Sequence, residues 1–208
     1  MTGGADERYL MAVHETAHAA VAHVLRRPVG LVSIRPTAES GGFARHRCER
    51  IKPGTFRPEL PTILMPARLR RTVESEIVIS LAGQVAEILA GPPAPGYRGL
   101  TDDERQAVAA SRSLAALDPR EESELHEIES TIDQQPTDSE RASGLSYALA
   151  GDEAAQHFSW MRAVAMSVVA SDRVQRLIAA LVPELLAHEV LPPRRVRAIF
   201  KSVDTEHA

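Results

Sequence analysis

Residues 14 to 18 read HETAH: His14, Glu15, Thr16, Ala17 and His18. Two histidines four apart stack on one helix face, with Cβ atoms roughly 6 Å apart. At that spacing both imidazoles reach one tetrahedral metal without bending the backbone. Glu15 projects beside them, angled off the coordination line. This is a set suited to metal-assisted hydrolysis. Zinc acidifies water and polarises a scissile carbonyl, and a neighbouring carboxylate takes the proton and passes it to the leaving amine. The spacing alone is weak, because this composition supplies H-E-x-x-H in about 3% of shuffled chains. The competing reading is a partly exposed helix face with unrelated polar residues. Context favours the site: the run AVHETAHAAVAHVL surrounds the three with Ala and Val, where polar groups carry a desolvation cost unless paired or metal-bound.

A catalytic zinc needs a third protein ligand and an open position. His23 lies five residues past His18, about 140° round the helix, and is read as structural or exposed. The extended HExxHxxGxxH pattern is absent, because Val21 and Val24 stand where it needs Gly and His. That excludes the metzincin arrangement.

The elements that must position this set follow from periodicity. Leu10, Val13, Ala17, Ala20, Val21 and Val24 give residues 5–26 one apolar helical face. Arg26 and Arg27 suit its C-terminal end, and Pro28 stops it. VGLVSIRP (29–36) and GGFARHRC (41–48) read as two short strands joined by a turn. The segment 52–66 is proline-broken and predicted to be an ordered loop. Residues 67–90 form a second long helix, with Leu69, Val73, Ile77, Leu81, Val85 and Ile88 or Leu89 on its core face. Thr101 followed by Glu104 is a capping-box signature for a helix over about 102–117. Helices are expected at about 139–149 and 152–170, then 171–188 and 192–201, a pair broken at LPP. Trp160, Met161 and Met166 are expected in the core or at a helix interface. The fold class is therefore mainly α with a small β-sheet (α+β), with a helical C-terminal part.

The chain has 208 residues and a formal net charge of −4, which gives no bulk attraction to nucleic acid. Length suits one domain, 1–208. One cysteine, Cys48, rules out an internal disulfide framework and fits a reducing compartment. No signal pattern opens the chain, no apolar run approaches the length of a membrane span, and no GxxxxGK[ST] loop is present. A cytoplasmic protein without membrane or nucleic-acid partners is expected. From Asp118 to Glu140 there are nine Asp or Glu against one Arg, so 118–145 is read as an acidic, mobile insertion.

Four blocks in order resemble the peptidase domain of FtsH-type ATP-dependent zinc metalloproteases: VHETAHAAVAHVL, VSIRP followed by GGFA, LAGQVAEILAG (81–91) and GLTDDERQAVAAS (99–111). The tail IAALVPELLAHEVLPPRRVRAIF is similar to that family's closing helices, and 118–145 fits poorly. The resemblance implies a zincin-like active-site helix, Zn2+ held by His14, His18 and Asp103, and Glu15 as the catalytic base. Asp102 or Glu104 are the alternatives to Asp103, and all three acids also suit a helix start without any metal. It further implies a polypeptide substrate laid along the second strand at Gly42 and Phe43; a plain hairpin with Phe43 packed inward is the equal alternative. HETAH departs from the family's HEAGH at residues 16 and 17, and Asp102 replaces the usual Asn. The family's ATPase module is missing, so a separate ATPase partner is implied, and ring assembly implies a homo-oligomer. The expected function is a zinc endopeptidase acting on unfolded or flexible polypeptides. The alternative is a non-catalytic binding or regulatory module that keeps the metal site.

Overall fold

A computed structural model describes residues 3–35, 43–46, 66–90, 123 and 137–206. The first helix, α1 (Gly3–Val24), carries HETAH in its middle. Ala12, Val13, Ala17 and every residue from Ala19 to Ala22 are buried, so this helix is covered on more than one side. Its many alanines leave room for close neighbours. The helix ends in a Schellman-type turn: the Arg27 N–H donates to the Ala22 carbonyl and the Arg26 N–H to that of His23. Arg26 takes the left-handed conformation this turn requires.

The strands β1 (Val29–Ser33) and β2 (Phe43–His46) pair antiparallel, Val32 opposite Ala44 and Ser33 opposite Phe43. A third strand, β3 (Val190–Leu191), joins the other edge of β1, giving the order β2-β1-β3. The sequence pattern did not predict β3: two residues before Pro192 carry no periodicity, and only the pairing with β1 makes them a strand. The helix α2 (Ala67–Ala90) matches its predicted bounds. It packs on α1 along one side and on α3 (Asp138–Ala150) and α4 (Ala154–Val169) along another. Val73, Ile77, Leu81 and Val85 are buried as expected, whereas Ile88 and Leu89 are both exposed.

The C-terminal helices α5 (Asp172–His188) and α6 (Pro193–Glu206) are the pair expected around LPP. Val174, Leu177, Leu181 and Leu185 repeat at three and four and are fully buried; α5 lies against α1, and α6 against α5 and β1. Phe200 fills the space beneath α6. Met161 is buried and Met166 packs on the core, but Trp160 is 55% exposed. It shares α4 with them on the face no other described element covers. Mainly helical architecture with a small antiparallel sheet is therefore what the chain adopts. Among the described residues no helix is long and apolar enough to cross a membrane.

Candidate metal centre

His14 and His18 lie on the α1 face that meets α2, with ring centroids 4.7 Å apart. The α1–α2 approach is close because Gly83 of α2 has no side chain: a Cβ there would overlap the His14 imidazole. Glycine in a helix interior costs about 1 kcal/mol against alanine, so its use here matches the space the ring occupies. One turn further along α2, a Glu87 carboxylate oxygen accepts a hydrogen bond from His14 Nδ1 at 2.6 Å. One turn before Gly83, the Ile79 carbonyl accepts one from His18 Nδ1, also at 2.6 Å. Both rings are thereby fixed with Nε2 pointing the same way.

They point at Asp138, the first residue of α3. Its Oδ2 lies 3.2 Å from His14 Nε2 and 3.0 Å from His18 Nε2. Asp138 is placed by local chemistry. Thr137 caps α3 through a capping box, in which the Glu140 N–H donates to Thr137 Oγ1 and the Thr137 N–H to the Glu140 carboxylate. This helix is the one expected at about 139–149. The ligand atoms of His14, His18 and Asp138 all lie within 4.8 Å of one another.

Electrostatics in this cluster are strong. Burial works against a charge on His14, but the Asp138 hydrogen bond, with Glu15 and Glu87 nearby, outweighs it and raises its pKa to about 9. Burial also opposes ionisation of Asp138, and the two histidines overcome it, holding the carboxyl well below the usual range. Glu15 is buried between the same groups. Burial pushes it up to about 7 against the pull of His18 and His14.

The donor set fits a metal ion. His18 Nδ1 donates to the Ile79 carbonyl, which leaves Nε2 facing Asp138. That buried nitrogen lies 3.0 Å from the Asp138 carboxylate oxygen. A proton or a metal ion shared between the two atoms accounts for that approach. Two ligands on a tetrahedral zinc with bonds of about 2.0–2.1 Å stand about 3.3 Å apart, near the observed separations of 3.0 and 3.2 Å. Each histidine has an outer partner on Nδ1, the arrangement that orients metal-bound imidazoles.

His14, Glu15 and His18 lie on one helix, and the structure brings the two histidines to Asp138 beside Glu15. Asp103, its choice for the third ligand, lies outside the described residues, as do Asp102, Glu104 and Gly42; of Phe43 only the backbone is described. The carboxylate that the described residues bring to the histidines is Asp138, which sequence reasoning missed. A signal for it existed: Thr137-Asp138-Ser139-Glu140-Arg141 repeats the T-D-x-E-R pattern of Thr101-Asp102-Asp103-Glu104-Arg105. Glu87 and Gly83 lie inside the LAGQVAEILAG block, which was noticed without their roles. The Ile79 carbonyl leaves no trace in sequence. The two departures from HEAGH are structurally quiet. The Thr16 hydroxyl donates to the Val13 carbonyl at 3.1 Å, and Ala17 is buried in the core. His23 faces elsewhere, 2.9 Å from Asp204. No protein-family model matches the chain, and no curated protein matches it at a significant level.

Proposed function

We propose that the protein is a zinc-dependent endopeptidase, similar to the FtsH peptidase domain, hydrolysing peptide bonds in unfolded or flexible polypeptides. The observation that carries this reading is the convergence of His14 Nε2, His18 Nε2 and an Asp138 carboxylate oxygen beside the buried Glu15. The resemblance of VHETAHAAVAHVL, VSIRP with GGFA, and LAGQVAEILAG to the FtsH peptidase supports it; the block at 99–111, where that resemblance put the third ligand at Asp103, does not bear on Asp138. His14, His18 and Asp138 would hold the ion, with Glu87 and the Ile79 carbonyl keeping the imidazoles turned toward it. Bound there, zinc supplies Lewis acidity toward a peptide carbonyl and acidifies water. Glu15 accepts the proton released as water oxygen bonds to the carbonyl carbon. It then donates that proton to the amide nitrogen as the C–N bond breaks; the second water proton stays on the new carboxylic acid and passes to the amine, leaving a carboxylate and an ammonium. Three protein ligands leave a position open, as a catalytic site requires and a structural site does not.

The test pairs metal analysis with proteolysis of casein and unfolded peptides. Wild-type protein should contain one zinc per chain and cleave. Glu15→Gln should keep the zinc and lose roughly 10²–10⁴-fold in turnover, the contribution of a general base. Zinc in both proteins with no cleavage by wild type would favour the binding-module reading. Absence of zinc from both would remove the site.

A further inference from the structure

Asp138 reaches the histidines from a different helix, so its place depends on what holds the first turn of α3. The Thr137 capping box orients that turn but lies within it and ties it to nothing else. Beside the packing of the buried Ala142, Arg141, three residues beyond Asp138, ties the turn to α2: its Nη2 lies 3.6 Å from Glu76 Oε2. Glu76 is an acid with no exposed surface. A carboxylate in that position is tolerated only with a cation beside it. Glu76 is also spaced to join the other α2 groups that serve the cluster. Glu76, Ile79, Gly83 and Glu87 follow one another at intervals of three, four and four, which places them on one helix face. Ile79 holds His18, Gly83 makes room for His14 and Glu87 holds His14.

We infer that Glu76, acting through Arg141, is the positioning residue for Asp138, so that all three ligands take their orientation from one face of α2. This rests on the reading of His14, His18 and Asp138 as a zinc site, and deepens it. It gives a buried acid outside the metal cluster a role in that cluster. It also accounts for the two acids, Glu76 and Glu87, on the face of α2 that meets the cluster, although α2 contributes no ligand.

The test measures zinc affinity of the full chain by competition with a chromophoric chelator, alongside thermal stability. Glu76→Gln and Arg141→Met should each weaken zinc binding roughly 10- to 100-fold, the usual effect of losing an outer partner. The double variant should be no weaker than the worse single one, because both act along one path. Arg141→Lys should recover part of the affinity. Val73→Ala, a buried truncation on the same helix, should lower stability and leave zinc affinity unchanged. Wild-type affinity in Glu76→Gln and Arg141→Met, with affinity lost in Asp138→Ala, would overturn the positioning role and leave the site intact. An equal loss of affinity in Val73→Ala at equal loss of stability would reduce the pair to a general strut and overturn it too. Wild-type affinity in Asp138→Ala would instead sink the zinc-site reading, and this inference with it.

Discussion

Helix α1 sends histidines to aspartates at two places, and the two meetings differ in how charge is settled. Near its C-terminal end, His23 Nε2 lies 2.9 Å from Asp204. The Arg173 guanidinium also grips that carboxylate, with Nε and Nη2 each donating at 3.0 Å. Asp204 therefore has a permanent cation from its own chain and stands partly in solvent. In the middle of α1, the more buried His14 and His18 meet Asp138, whose own side chain is 42% exposed, and Glu15 adds a buried carboxyl. No arginine or lysine contacts that carboxylate among the described residues. Only a proton or a metal ion can balance it. The same residue types thus make an arginine-clamped strut in one place and a group that could hold a metal ion in the other.

The comparison is broken most directly by removing each aspartate. Asp138→Ala should weaken zinc binding by more than the roughly 10–100-fold that outer partners cost, because it deletes a ligand. Asp204→Ala should leave zinc affinity unchanged, since its partners are His23 and Arg173. Chelator competition on the two variants decides it. Equal loss in both would mean that the enclosed meeting is no more a metal site than the surface one.

Gly83→Ala probes the room that only the inner histidines need. On an ordinary helix this change stabilises by up to about 1 kcal/mol. Here the added methyl would overlap the His14 ring, so it must turn the imidazole away from Asp138 or push the helices apart. The expected result is at least a tenfold loss of zinc affinity together with a lower melting temperature, because the α1–α2 interface is tightly packed. A melting temperature above wild type with zinc affinity intact would show that His14 does not sit over Gly83.

What the sequence made legible follows from the range of each signal. HETAH and its helix were readable because a 3.6-residue period and an i,i+4 pair are local. Helix α2 was readable for the same reason. Asp138 was not, because composition over 118–140 averages nine acids into one solvated stretch. A single acid turned inward by a Thr137 cap disappears in that average. The helix expected at about 139–149 marked a start there, but not which acid meets His14 and His18, 120 or more residues away. Trp160 shows the opposite limit: periodicity located its helix, but which face is covered depends on neighbours that a local pattern does not contain. The resemblance drew attention to LAGQVAEILAG as a block. Only the tertiary contact gives Gly83 and Glu87 separate jobs.

The surface meeting carries the smallest expected effect, and its pH dependence sharpens the contrast. The His23 hydrogen bond, helped by Arg173 against a small burial penalty, lowers the Asp204 pKa from its ordinary value. A carboxylate with a lowered folded pKa adds stability above its unfolded value and loses it as pH falls through the folded one. The window therefore lies below about pH 4. Asp204→Asn should destabilise by a few tenths to about 1 kcal/mol at pH 7, as expected for a solvent-screened pair. The difference from wild type should shrink toward zero as both are acidified below that window, and high salt should reduce it at pH 7. Denaturant unfolding at several pH values measures it. A difference that stays constant down to about pH 2 would mean that Asp204 contributes through packing rather than charge. The surface meeting would then no longer be an electrostatic counterpart of the one at Asp138.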